Sequence, residues 1–556
     1  MSKRILIISL DGATFNVLRP LMDQECMPHL AEVARNGLAV DLASVVPPIT
    51  AAAWTSFMTG KHPGKHGIFD FTAFDPGTGT WRVNNATNIR SKTVWQLLSE
   101  KEKRVVVLGL PYIYPPYPVE GILVSGWDAP SLQGNFTYPT SLINRILEEI
   151  PDFGSTSDLS FWKFLPTDSW KDFHAFLAKL RRSFEQQFDL AQLFLDSESW
   201  DVFMVHFQQT DWIQHKLWSY IAKACADPSD KSARVAAIRD YYRRLDELVG
   251  ALINSVDASD TLTIVLSDHG FGADFGTICV NYYLRKWGYL HVAAKARQPL
   301  KDLFRNSRLA TVRSLYGRLA SIKHRLDGEH NLRKHRSWAE ELQETTPRQK
   351  LLVDWPQTRA VLLGSSETGF VYVNEKGRWP NGVVEPGVEY EHLLAELTAH
   401  LSQILHPVTG SALIKHVSRG AEVYPEASEG IWLPDLVLFP AEGYTFSSAW
   451  SQAVTKGSRE GCHRSVGILL AEGTDVRVTD EPVRPCLLDL APTILHLSGL
   501  PVPSDMDGHV LINFFDTPQP VTYITPENLV PLAHKKYTAE ESAAIEQRLK
   551  DLGYLE

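Results

Sequence analysis

Four segments of this 556-residue chain carry residue types that bind divalent cations. "ILIISLDG" places Asp11 directly after an apolar run, and "TIVLSDHGF" places Asp268 and His269 after another. "HFQQTDWIQH" sets Asp211 and His215 four residues apart, on one face if the segment is helical. "GCHRSVGILL" sets His463 just before a further apolar run. Each alone has an ordinary explanation. An Asp after a strand caps a turn, adjacent Asp-His arises by chance, and a His on an apolar helix face is usually a core residue. Taken together, three carboxylates and three imidazoles without a cysteine set are the donors that suit Zn²⁺ or Mn²⁺. In open α/β sheets the functional crevice lies at the carboxyl ends of the strands, and three of the four segments fit that rule.

A hydroxyl group accompanies them. "PPITAAAWTSFMTG" (47–60) reads as a strand exit, a cap at Thr50 and a short helix. A helix starting there presents backbone N–H groups to an anion, and the alanines leave the approach uncrowded. Trp54 is expected to pack. Thr55, Ser56 and Thr59 are rival hydroxyls expected to bond back to helix carbonyls. His62 and His66 in "GKHPGKHGI" are expected to shape a Gly/Pro turn, His206 to lie in a strand, and Cys462 to be a buried thiol. The aromatics of "FWKFLPTDSWKDFHAFL" suit helix packing.

The elements that would position these groups are legible as apolar runs. "ILIISL" (5–10), "RVVVLGL" (104–110), "DVFMVHF" (201–207), "TLTIVLSD" (261–268) and "VGILLAEG" (466–473) read as strands buried on both faces. Amphipathic helical stretches alternate with them at 93–103, 232–256 and 487–500. Alternating strand and helix predicts a doubly wound α/β fold with a mostly parallel central sheet flanked by helices. Residues 291–350 are basic, helical in period and lack an apolar strand, so they read as an insertion. Strand-and-turn text follows, and "PDLVLFP" (434–440) reads as a return to strand. The expected organisation is a discontinuous core (1–290 and 433–516), an inserted cap (291–432) and a tail (517–556). The tail ends in a helix with a Thr538/Glu541 capping box and a stop at Gly553.

Bulk composition narrows the class. The length allows roughly two to four domains. Apolar content of 44% and charged content of 22% are ordinary for a globular chain. A net charge of −10 argues against a stable nucleic-acid complex, which needs a basic face. Five scattered cysteines form no CxxC, which points to the cytoplasm. "ILIISL" is too short for a signal core, and no run reaches membrane-spanning length.

In their order along the chain these segments resemble the type I phosphodiesterase/nucleotide pyrophosphatase family of the alkaline phosphatase superfamily. The matching pieces are "SLDG", "PPITAAAWTSFMTGKHPGKHGI", "TDWIQH", "LSDHGF", "GCHRSVGI" and "LLDLAPTILHLSGLPVPSDMDG", from Asp11 to about residue 515. The last piece is widespread in the superfamily and speaks to fold. The resemblance implies an alkaline-phosphatase-like core and two divalent ions, Zn²⁺ in first place and Mn²⁺ next. One ion would be held by Asp211, His215 and His463, the other by Asp11, Asp268 and His269. It implies Thr50 as the nucleophile, nine residues before Thr59 of the "TG". A threonine hydroxyl is a weak nucleophile unless a base or a cation activates it. Two cations roughly 4 Å apart can stabilise the entering and leaving oxygens of an in-line displacement.

One departure stands out. Many members of the family carry an Asn after the "HGI" turn, and here Phe71 occupies the place. A backbone N–H, Lys61, Lys65 or Arg464 could donate to a phosphoryl oxygen instead. The resemblance thus implies a two-metal hydrolase acting through a threonyl-phosphoryl intermediate. Its partner would be a small phosphate ester, a phosphodiester or pyrophosphate of nucleotide type. Phosphomonoesterase, phosphonate hydrolase and phosphotransferase activities on the same scaffold are alternatives. So is a non-catalytic binding protein that keeps the fold.

Overall fold

The computed structural model describes residues 4–131, 135–154, 169–292, 353–364, 367–456, 459–477, 484–516, 519–526 and 537–552. The basic stretch expected in the insertion and the stop at Gly553 lie outside these residues, as does the start of the aromatic segment at 161–168.

Eight strands form the central sheet: β1 (Arg4–Leu10), β2 (Leu38–Ala43), β3 (Val105–Leu108), β4 (Gly121–Val124), β5 (Thr137–Tyr138), β6 (Val202–Phe207), β7 (Thr261–Leu266) and β8 (Val466–Glu472). Their spatial order is β2-β8-β7-β1-β6-β3-β4-β5. The five inner strands β7, β1, β6, β3 and β4 run parallel. β8 runs antiparallel to β7 and β2, and β5 antiparallel to β4. The apolar runs end up in the middle because both of their faces can be covered: every residue of β6 and β7 is buried, as is β1 beyond Arg4. The doubly wound, mostly parallel α/β fold expected from the sequence is the fold observed.

Helices Pro28–Asn36, Trp170–Ser197, Gln209–Ala226 and Ala233–Asn254 cover this sheet with their buried stripes. Among the polar contacts between them, one caps a helix. Asp246, on helix Ala233–Asn254 and fully buried, accepts from the backbone N–H groups of His29 and Leu30 at 2.9 Å each. It therefore caps the amino end of helix Pro28–Asn36 from a neighbouring helix, where a negative charge is also favoured by the dipole. Asp246→Ala orphans two buried donors and is expected to destabilise the protein by about 1–3 kcal/mol, read as a shift in the denaturation midpoint.

A second hydrophobic cluster surrounds a four-stranded antiparallel sheet. Its strands, in spatial order, are Ala360–Leu363, Gly369–Val373, Leu436–Pro440 and Ile414–Arg419. Helix Val388–Leu401 packs on it through Leu393, Leu394, Leu397 and Leu401. Residues Ile278–Leu290, before the insertion, contribute to the same cluster. The strand at 436–440 thus pairs with Gly369–Val373 rather than joining the central sheet. Its text carries no mark of which sheet it enters: Leu436, Val437 and Leu438 are buried here just as the apolar runs of the central sheet are there. The chain's last helix, Ala539–Leu552, returns to the main core and buries Ile545, Leu549 and Leu552 there.

Candidate active site

The site lies where the strands end. Asp11 follows β1, and Asp268 and His269 follow β7. Helix Gln209–Ala226 begins just after β6 and carries Asp211 and His215 one turn apart. His463 sits on strand Gly461–Arg464, which pairs antiparallel with Gly270–Ala273. Gly12 turns the chain after Asp11 with φ of +64°; a side chain there would meet His269 and Phe271. Its N–H donates to Asp268 Oδ1 at 3.2 Å. All six ligand-type residues are buried.

They converge in two abutting sets. In the first, Asp211 Oδ1 lies 3.4 Å from His215 Nε2 and 3.2 Å from His463 Nε2, and the two Nε2 atoms are 3.0 Å apart. In the second, His269 Nε2 lies 3.6 Å from Asp11 Oδ1 and 3.4 Å from Asp268 Oδ2. The rings of His269 and His463 stack with centroids 3.8 Å apart, so the sets share a wall. Donor atoms of Asp11, Asp268 and His269 lie within 4.8 Å of one another, and so do those of Asp211, His269 and His463.

The outer contacts fix which ring nitrogen faces inward. His215 Nδ1 reaches Gly461 O at 2.9 Å, His463 Nδ1 reaches Pro48 O at 3.1 Å, and His269 Nδ1 reaches Gly270 O at 3.1 Å. A carbonyl only accepts, so Nδ1 carries the proton in each ring and the Nε2 lone pairs face the centre. Two lone pairs 3.0 Å apart repel unless a cation or proton lies between them. Asp11 Oδ1, Asp268 Oδ2, His269 Nε2 and Thr50 Oγ1 are buried without a hydrogen bond. Such a set of orphaned donors fits a bound cation.

The electrostatics agree. Burial, with the Asp268 and Asp211 charges adding to it, pushes the Asp11 carboxyl well up. Burial likewise lifts Asp268 to about 7. Burial pushes His215 and His269 down, so both rings are neutral. At His463 burial is outweighed by the Glu367 and Asp211 carboxylates, and its pKa rises. Glu367 Oε1 stands 3.6 Å from His463 Nδ1 and arrives from the loop before strand Gly369–Val373 of the second sheet. Three carboxyl groups thus crowd one buried space, and a cation there would favour the ionised form of each.

Thr50 opens helix Thr50–Thr59 and is fully buried. Two neighbours tie this helix to the two sets. Pro48 O holds His463, and one turn after Thr50 the indole Nε1 of Trp54 donates to Asp11 Oδ2 at 2.9 Å. Trp54, expected to pack only, does both. Its i, i+4 spacing from Thr50 was the available signal. Trp54→Phe keeps a ring but removes the N–H; affinity for Zn²⁺ is expected to fall about 10-fold or more, measured by chelator competition. Thr55 and Thr59 bond back to Ala51 O and Thr55 O at 2.8 Å each, as expected, whereas Ser56 Oγ pairs with His66 Nε2 at 2.9 Å.

The three residues considered for substrate contacts stand elsewhere in the neighbourhood. Phe71 is buried in the main core against Tyr112 and Trp127, with centroids 6.3 and 5.6 Å away. Lys61 lies past the carboxyl end of the Thr50 helix and pairs with Asp505. Arg464 donates to Cys462 O, His463 O and Ala273 O at 3.2, 2.9 and 2.7 Å, clamping the strand pair that carries His463. Together with Glu367 and His463 it lines a cavity of about 520 Å³.

The family model described as "Type I phosphodiesterase / nucleotide pyrophosphatase" matches residues 5–467. No curated protein matches the chain. Among solved structures, phosphonoacetate hydrolase from Sinorhizobium meliloti 1021, in complex with phosphonoformate, is similar with a TM-score of 0.52 at 14% identity. It covers 89% of this chain and 95% of its own. Human ectonucleotide pyrophosphatase/phosphodiesterase 5 aligns at 13% identity with a TM-score of 0.48, over 93% of this chain and 100% of its own. The first likeness agrees with the alkaline-phosphatase-like fold.

Proposed function

The chain belongs to the type I phosphodiesterase/nucleotide pyrophosphatase family, and on that premise we propose that it hydrolyses phosphate esters, diesters or pyrophosphates of nucleotide type, with Thr50 as nucleophile. One observation carries the reading. Thr50, its hydroxyl unpartnered and buried, stands between Pro48 and Trp54, which hold one residue of each ligand set. Asp211, His215 and His463 would hold one divalent ion and Asp11, Asp268 and His269 the other. When bound, two such ions supply charge neutralisation at the phosphoryl oxygens and a lowered pKa at the threonine hydroxyl.

The chain's own residues do the rest. Carbonyl contacts hold the imidazoles with Nε2 inward, which preorganises the centre. The first turn of the Thr50 helix offers backbone N–H groups to the phosphoryl group. Thr50 Oγ attacks phosphorus and gives up its proton as the P–O bond to the leaving group breaks. The leaving alcohol or phosphate takes up a proton. Water then attacks the phosphothreonine, releasing phosphate or a monoester and restoring Thr50. The reading is tested by a panel of Zn²⁺ and Mn²⁺ against bis-p-nitrophenyl phosphate, p-nitrophenyl phosphate and a dinucleotide pyrophosphate. Metal-dependent turnover with diester or pyrophosphate ahead of monoester supports it. Absence of turnover on every ester sinks it, and a faster monoester transfers the reading to a phosphomonoesterase.

A further inference from the structure

A second cavity lies on the same edge of the sheet, at the carboxyl ends of β3, β4 and β6. It holds about 130 Å³, room for roughly four waters. Trp127 and Trp212 form part of its wall, and Ser125, Gln208, Gln209 and Arg548 are among its polar lining. Ser125 Oγ and Gln209 Oε1 are buried and have no hydrogen-bond partner, and their residues are 2% and 7% exposed; the Gln208 amide instead faces the Asp11 carboxylate. An orphaned buried polar atom costs about 1–3 kcal/mol, and native proteins keep few of them without a reason. Two around one small space, a hydroxyl that can give or take and an amide oxygen that takes, match a ligand that both gives and takes hydrogen bonds.

The cavity is tied to the candidate active site and to the chain's end. Trp127 Nε1 donates to Gln208 Oε1 at 2.7 Å, and His206 Nε2 lies 3.0 Å from the same oxygen. His206, which also lines the cavity, stands 3.5 Å from Asp11 Oδ2. On the other side Arg548, from the last helix, donates to Trp127 O and to Ala129 O, the latter at 2.6 Å. This helix lies beyond the part of the chain that the family model matches. Of the six residues, only Arg548 carries a charge, and the carbonyls of Trp127 and Ala129 engage it. Aromatic walls with neutral donors and acceptors suit an uncharged hydroxylated molecule.

We infer that this cavity binds a small neutral polyol, of glycerol to pentose size, and that it receives the hydroxyl-bearing alcohol half of the ester. The second clause rests on the proposed hydrolase activity; the first does not. The test is therefore a binding measurement without turnover. Ribose and glycerol are titrated into the full-length protein by calorimetry, with the melting temperature followed in parallel. One saturable site is expected for at least one probe. Ser125→Ala and Gln209→Leu should each weaken it about five-fold, the worth of one hydrogen bond; Ser125→Ala removes only an orphaned atom and should not lower the melting temperature, whereas Gln209→Leu also removes the Nε2 bond to Ser183 Oγ at 2.8 Å and is read by affinity alone. Absence of saturable binding for both probes, or unchanged affinity in the double variant, overturns the inference and leaves the space to water. If the probes bind and no ester is hydrolysed, the polyol site stands and the hydrolase reading falls.

Discussion

Thr50→Ala is expected to abolish hydrolysis of the best ester by at least about 10³-fold while leaving the bound metal content unchanged. The two halves of that result separate the nucleophile from the ligands. Thr50 Oγ1 has no hydrogen bond to lose, and the helix it opens is held by the ring and carbonyl contacts of Trp54 and Pro48, which the substitution leaves in place. Thr50 is buried at the helix start, so the cavity left by its γ-methyl and hydroxyl costs about 1 kcal/mol, too little to unfold the protein. Metal analysis, melting temperature and kcat on the same preparation decide the matter. A rate within a few-fold of the parent would move the nucleophile to another group or to water. Loss of metal together with activity would make Thr50 a structural ligand.

The second large effect is the pH dependence of metal stabilisation. Without a cation, Asp268 has a folded pKa raised to about 7 against an ordinary carboxylate value of 3.8, chiefly by burial, and Asp11 shifts the same way. A raised carboxyl pKa means the folded protein holds the proton more tightly than the unfolded chain. Stability from these groups is therefore complete below about pH 4 and is lost as pH rises toward 7. A cation reverses the trend, because it binds the deprotonated carboxylates and competes with their protons. His215 and His269, already neutral through burial, add no proton competition, while His463, with its raised pKa, adds some. The gain in melting temperature from saturating Zn²⁺ or Mn²⁺ should thus widen steadily between pH 5 and pH 8. At a thousand-fold excess over Kd the stabilisation amounts to about 4 kcal/mol. A gain independent of pH would mean that the ion sits away from these carboxylates, and no gain at any pH would favour a non-catalytic binding protein.

Much of this arrangement can be read from the chain alone. β1, β6 and β7 are uninterrupted apolar runs, and a parallel sheet is the natural way to bury such runs on both faces. Residues that follow such strands land at one edge of the sheet, which is why Asp11, Asp211 and Asp268 meet although about 200 residues separate the first two. The supporting shell is a different matter. Trp54 donates into the site, Glu367 reaches His463 from the second sheet, and Arg548 closes in from the last helix. Each depends on where a side chain points after distant segments have packed, and no periodicity encodes that. Lys61 makes the same point in reverse. It follows Thr50 closely in sequence, but the ten-residue helix that Thr50 opens carries it away to Asp505. Arg464 stands next to His463 in the chain and turns both terminal guanidinium nitrogens on backbone carbonyls.

Turnover through Thr50 has a stereochemical signature that no fold or family argument can supply. Each in-line displacement inverts phosphorus, so two in succession return the starting configuration, whereas direct attack by water inverts it once. Hydrolysis of a chiral phosphorothioate diester in ¹⁸O-water, with the configuration of the product determined, should give retention. Inversion would mean that water attacks the substrate directly and that Thr50 is not the nucleophile.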